Sequence, residues 1–288
     1  MNIIFFGSTD DSVTVLSTLT TSYPVCAVVT QPPKPIGRKK VITATPVELW
    51  AKEKKIPLFT FPNNPKQPWR FANDEDVTNA LSSFHPDLLV TACFGERIPA
   101  KLIERAPHGG INVHPSLLPR WRGTNPIPWA ILAGDAHTGV TIATMTVHFD
   151  DGRILSRKKI PLTQKDMPDE LRKKLFTMGA DLLLTTLPDY LSGKNKGVPQ
   201  KNEGVTVARR LRRDDGFVPW NEFFESIQNN PQRLDTRLRA FSGWPGVWTR
   251  APFNKRLKLI ALSPSPRVQL EGKQPVDWHT FQKAYFPS

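Results

Sequence analysis

Cysteine is scarce in this chain of 288 residues: Cys26 and Cys93 are the only two, each inside an apolar, strand-like run. That excludes a disulfide framework and fits buried thiols in a reducing compartment. The two stand 67 residues apart and no His pair has ligand spacing, so no zinc site is expected. Long apolar runs are missing as well. None approaches the roughly 18 residues of a membrane span, which excludes an integral membrane protein. No basic leader precedes Ile3-Ile4-Phe5-Phe6, so no cleaved targeting peptide is expected and the protein reads as cytoplasmic. After Phe6 only Gly7 stands where a G-x-G-x-x-G run is needed, and no Walker-type loop occurs. Dinucleotide and ATP binding are therefore excluded.

Acidic residues are in deficit. Lys and Arg number 39 against 26 for Asp and Glu, a net charge of +13, which favours a polyanionic partner such as nucleic acid. The excess is uneven: residues 201–288 carry 15 basic and 8 acidic side chains, net +7, whereas residues 1–200 carry 24 and 18, net +6. Hydrophobic residues make up 39% of the chain, enough for a sizeable core.

Short apolar runs alternate with helical patterns through the first half. Ile3–Phe6, Val25–Val29, Leu88–Val90 and Ile111–Val113 read as buried strands. Helical spacing joins Val13, Leu16 and Leu19, and Thr45 with Pro46 marks another helix start. Such alternation predicts an α/β fold with a doubly wound, mostly parallel sheet. A further helix over 166–190 is expected to stop at Pro188, before a polar stretch that reads as a linker. The expected organisation is a catalytic domain over residues 1–190, a linker over 191–204 and a small β module over 205–288.

Asn112 and His114 lie two apart on a strand and so share a face. Pro115 ends the ladder there, at the strand end beside which open α/β sheets bind ligands. A second strand at Thr141–Met145 leads to Asp150-Asp151-Gly152. An amide, an imidazole and a carboxylate suit acyl-type transfer, with donors for a developing oxyanion and a group to move protons.

The run Asn112-Val113-His114-Pro115-Ser116-Leu117-Leu118-Pro119, with Arg122-Gly123, Gly139-Val140-Thr141 and Asp150-x-Gly152, resembles the core of the folate-dependent formyltransferase family. The resemblance implies a Rossmann-like formyltransferase fold and 10-formyltetrahydrofolate as co-substrate. It places Asn112 on the formyl oxygen, His114 on the tetrahedral intermediate, and Asp150 as the group that positions His114 and relays protons. It assigns folate contacts to Phe94, Gly95, Glu96, Arg97 and Ile98 and to Ser116, Leu117, Leu118 and Pro119. Glu96 and Arg97 depart from the family's apolar pattern, and Gly7-Ser8-Thr9 from its usual Gly-Thr-Pro. His148 and Asp151 are a rival imidazole and a rival carboxylate, of which the Asp-x-Gly pattern sets Asp151 aside.

Gln31-Pro32-Pro33-Lys34-Pro35-Ile36-Gly37-Arg38-Lys39-Lys40 is similar to the basic loop of the branch that formylates methionyl-tRNA. Lys34, Arg38, Lys39 and Lys40 on such a loop are expected at phosphates. Arg209, Arg210, Arg212 and Arg213 are expected to do the same from the C-terminal part, whose Arg239-Ala240-Phe241 and Trp244-Pro245-Gly246 resemble that branch's small OB-like barrel, here truncated. The implied partners are initiator methionyl-tRNA and folate, and the protein is expected to be a monomer. Two alternatives stay open: formylation of an amino-sugar nucleotide, and a non-catalytic RNA-binding protein on the same scaffold.

Overall fold

A computed structural model describes residues 1–37 and 39–286. In chain order the first half contains β1 (Ile3–Phe6), α1 (Asp10–Leu19), β2 (Val25–Thr30), β3 (Lys34–Ile36), β4 (Val41–Thr43), α2 (Pro46–Glu53), β5 (Leu58–Thr60), α3 (Asp74–Ser82), β6 (Leu88–Ala92), α4 (Ala100–Arg105) and β7 (Gly110–His114). Then come β8 (Arg122–Gly123), α5 (Pro126–Leu132), β9 (His137–Thr144), β10 (Ile154–Pro161), α6 (Pro168–Leu191) and β11 (Val207–Ala208). The remainder holds α7 (Trp220–Asn229), α8 (Asp235–Ala240), β12 (Val247–Arg250), β13 (Arg256–Ala261), β14 (Arg267–Leu270), β15 (Val276–Asp277) and α9 (Trp278–Tyr285).

Chain contacts divide the molecule into two compact units. The first takes in residues 1–126, 137–160 and 172–208; the second takes in 127–136, 161–171 and the residues from Arg209 on. The sheet of the first unit runs β10-β9-β7-β6-β1-β2-β5. β1 pairs in parallel with both β2 and β6, β6 pairs in parallel with β7, and β9 joins β7 antiparallel. β1 through β2 to β5 builds the sheet one way and β6 with β7 builds it the other. A crevice therefore opens where the order reverses, at the C-terminal ends of β1 and β6.

All four residues of β1 are fully buried, as a central strand covered on both faces requires. One core cluster joins Ile4, Phe6, Val29, Leu89 and Leu102 to Phe94, so the first residues past β6 are fixed by the core itself. α1 starts at Thr9, whose hydroxyl and that of Ser12 form a reciprocal cap, and α2 starts at Thr45 with Pro46 first.

α6 does not stop at Pro188 but continues to Leu191, and Ser192 N–H still donates to Pro188 O at 3.1 Å. The proline costs one ladder bond and the helix absorbs it. The polar stretch after it is bound rather than slack. Val198 and Ile154 exchange both backbone hydrogen bonds at 2.8 Å, and Asn195 Nδ2 donates to Leu155 O. In the second unit β12-β13-β14-β15 form an open antiparallel sheet, with Phe223, Val247, Leu257, Val268, Trp278 and Phe281 in its core. Among the described residues no helix is long and apolar enough to cross a membrane.

Candidate active site

A cavity of about 390 Å³ opens at the reversal point of the first unit's sheet. That lies within the range of small-molecule sites, about 300–1,000 Å³. Ser8 and Thr9 reach it from the end of β1, Cys93 to Ile98 from the end of β6, and Asn112 to Pro115 from β7. Ile103, Met145 and Phe176 add apolar wall, and Asp150 closes one side.

Asp150 gathers the polar groups. Asn112 Nδ2 donates to its Oδ1 at 2.7 Å, and His114 Nδ1 lies 3.5 Å from the same oxygen. Its Oδ2 accepts the backbone N–H of Gly123 at 2.8 Å. The side chains of His114 and Asp150 are only 5% and 8% exposed, so this contact is largely shielded from water. On its other side the ring's Nε2 donates to Trp121 O at 2.8 Å. The alternation on β7 thus brings Asn112 and His114 to one carboxylate, as their spacing predicts.

The turn that presents Asp150 is held from downstream. Asp150 has φ +56°, a left-handed conformation that is uncommon outside glycine and is maintained by its surroundings. Gln200 Nε2 donates to Asp150 O and to Gly152 O, each at 2.8 Å, while its Oε1 accepts from Arg122 Nε and Nη2. Gly152 is packed so tightly that a Cβ there would sit 1.7 Å from Thr144 O, a backbone atom that cannot swing aside. Gly152→Ala is therefore expected to cost about 1–3 kcal/mol and to lower turnover by displacing Asp150; urea unfolding beside an activity assay checks both. Gln200 carries no sequence signal, because a lone amide in a polar stretch has no periodicity.

Phe94, Gly95, Glu96, Arg97 and Ile98 line the cavity. Ser116, Leu117, Leu118 and Pro119 do not. Ser116 Oγ turns back to Arg120 O at 2.7 Å, Leu118 is fully buried, and its N–H donates to Thr141 Oγ1, so this run braces the loop behind His114. His148 borders the cavity but is exposed, and Asp151 bonds to Thr146. Glu96 is 5% exposed; its Oε1 accepts from Asn63 at 2.6 Å and its Oε2 has no partner among the described residues. Burial pushes its carboxyl up, against opposing pulls from the Asn63 hydrogen bond and the Lys34 charge. Burial likewise pushes the Cys93 thiol up to about 12, which keeps it protonated and unreactive.

Lys34, Lys39 and Lys40 are exposed on the β3–β4 hairpin, where Ile36, Val41 and Ile42 are exposed too. Arg38 lies outside the described residues. In the second unit Arg210, Arg212 and Arg213 are exposed. Arg209 is engaged elsewhere: it grips Asp215 with two hydrogen bonds of 2.8 and 2.5 Å and stacks 4.8 Å from the Trp129 ring. That grip holds the Asp215 carboxyl below the usual carboxylate range.

An open α/β sheet with an amide, an imidazole and a carboxylate gathered at its switch point defines a group-transfer enzyme of the acyl type. Residues 1–187 match the family model described as formyl transferase, and the chain belongs to that family. Over 247 residues it is 41% identical to the methionyl-tRNA formyltransferase of Listeria monocytogenes, covering 86% of this chain and 74% of that one. Two solved structures share the fold. A 4-N formyltransferase from Francisella tularensis has TM-score 0.66 and 17% identity over 91% of this chain and 96% of its own. HypX from Aquifex aeolicus in complex with tetrahydrofolic acid has TM-score 0.57 and 16% identity over 90% of this chain and 37% of its own.

Proposed function

We propose that this chain moves the formyl group of 10-formyltetrahydrofolate to the free amino group of initiator methionyl-tRNA, in the cytoplasm. The observation that carries the reading is the single Asp150 carboxylate that holds both Asn112 and His114 at the cavity. Its branch rests on the 41% identity to a methionyl-tRNA formyltransferase over most of the chain. The cavity fits a pterin in size, and its mixture of apolar side chains with the polar ends of two strands suits a flat ring edged with nitrogen and oxygen.

Bound 10-formyltetrahydrofolate supplies an electrophilic formyl carbon. Asn112 has two N–H bonds on Nδ2; Asp150 takes one and thereby aims the other at the formyl oxygen. Nε2 of His114 is committed to Trp121 O, and Nδ1 lies 3.5 Å from the Asp150 carboxylate, an ion pair once the ring is protonated. The ring therefore acts in place, bringing positive charge toward the developing oxyanion when protonated. Asp150 stabilises that charge, takes the proton the amine gives up, and returns it to the tetrahydrofolate nitrogen as the bond from that nitrogen to the formyl carbon breaks. Glu96, Arg97 and their neighbours form the pterin wall. Lys39 and Lys40, with Arg38, meet phosphates of the acceptor stem, and Arg210, Arg212 and Arg213 supply further charge.

The test is to mix the protein with 10-formyltetrahydrofolate and either methionyl-tRNA or an amino-sugar nucleotide. Formyl-methionyl-tRNA is the expected product; formylation of the sugar alone would overturn the reading. In the same assay, Lys39→Ala with Lys40→Ala is expected to raise KM for the tRNA severalfold. The log–log salt dependence of tRNA binding should flatten by up to about 0.9 per lost contact. Unchanged salt dependence would remove these lysines from the RNA surface.

A further inference from the structure

Lys34 differs from its neighbours on the hairpin. Its Nζ donates to Gln31 Oε1 at 2.6 Å, and Gln31 Nε2 donates to Phe94 O at 2.8 Å. Gln31 is itself fixed, since its backbone N–H donates to Ser8 Oγ at 3.0 Å. Ser8, Gln31, Phe94 and Gly95 all line the cavity. Gly95 has φ +80°, so the chain makes a sharp bend immediately after the carbonyl that Gln31 holds. The basic hairpin is thus rooted, through one lysine and one amide, in the wall of the cavity.

We propose that Gln31 and Lys34 are positioning residues for the folate cavity: Gln31 sets the Phe94–Gly95 main chain, and Lys34 holds the Gln31 amide in the orientation that does so. The choice of probe rests on the function proposed above; the geometry does not. With Lys34 on Oε1, the Gln31 amide has only its Nε2 donors free, and those match the Phe94 carbonyl. Without the lysine the amide can turn over or leave for solvent, and the bend past β6 loses its tether. Lys34 therefore acts on the cavity, in contrast to Lys39 and Lys40, which have no bond to its wall among the contacts described here.

Two measurements on the full chain test this. In the first, tetrahydrofolate is titrated calorimetrically without RNA. Gln31→Ala and Lys34→Met are each expected to weaken binding about fivefold to tenfold, the effect of one lost hydrogen bond. Lys34→Arg, which still donates, should restore it. The double variant should be no worse than Gln31→Ala, because Lys34 works through Gln31. Lys39→Ala with Lys40→Ala should leave tetrahydrofolate affinity unchanged. In the second, amide exchange of residues 93–97 is followed without ligand; both single variants should speed it while the melting temperature holds. A Lys34→Met protein with unaltered exchange overturns the proposal, as does full additivity of the two single losses. Failure of the wild-type chain to bind tetrahydrofolate would count against the proposed function instead, and the exchange measurement would still decide the positioning role.

Discussion

Asn112→Asp is expected to lower formyl transfer by more than about a thousandfold, beyond the loss from Asn112→Ala. The new carboxylate would stand where Nδ2 now lies, 2.7 Å from Asp150 Oδ1, in a pocket where Asp150 is 8% exposed. Two carboxylates at that separation cannot both stay ionised, so the affinity of the pair for a proton rises. The donor to the formyl oxygen is lost, and either a like charge or a shared proton replaces it. Ala removes the donor without adding the repulsion, at a cost of about a hundredfold to a thousandfold. Single-turnover rates with saturating substrates read the comparison. An Asp variant as active as the Ala variant would show that the amide faces away from the reacting carbon.

Asp150→Asn should retain the fold and lose about a hundredfold to a thousandfold in kcat. Asp150 accepts Asn112 Nδ2–H on one oxygen and Gly123 N–H on the other, and faces His114 Nδ1. An amide offers a single acceptor, so one of those donors would meet an NH2 group, and nothing would balance a proton on the ring. Binding of tetrahydrofolate, for which Phe94 to Ile98 are the proposed contacts, should hardly change. A kcat near that of the unaltered protein would take the proton-handling role away from Asp150.

The inner strands β1, β2, β6 and β7 were legible because they are buried and read as apolar runs, as Ile3–Phe6 does, whereas the edge strand β10, exposed from Arg157 to Lys159, was not. Asn112 and His114 were legible for a different reason: strand alternation sends both to one side, and Pro115 marks where the strand must end. Asp150 was told from Asp151 only through likeness to a family, since nothing local to residues 145–152 places one carboxylate rather than the other across from β7. Pro188 misled because a proline lacks one donor, and a long helix anchored along its length tolerates that single loss. Ser116 to Pro119, which the resemblance assigns to the folate, pack behind His114 instead of lining the cavity, a placement that no sequence motif reveals. The pairing of Arg209 with Asp215, six residues on, was not visible in the sequence either. Gln31 and Gln200 were invisible, because an isolated amide acquires meaning only from carbonyls that folding brings to it.

The Gln200 clamp has a consequence for how the enzyme comes into being. A protein is made from its amino terminus onward, and every strand of the seven-stranded sheet precedes Gln200. A growing chain that has emerged through β10 has its sheet but lacks the amide that fastens the carbonyls of Asp150 and Gly152. The Asp150 turn is therefore expected to become fixed only once residue 200 is free to fold back, so that activity should mature after architecture.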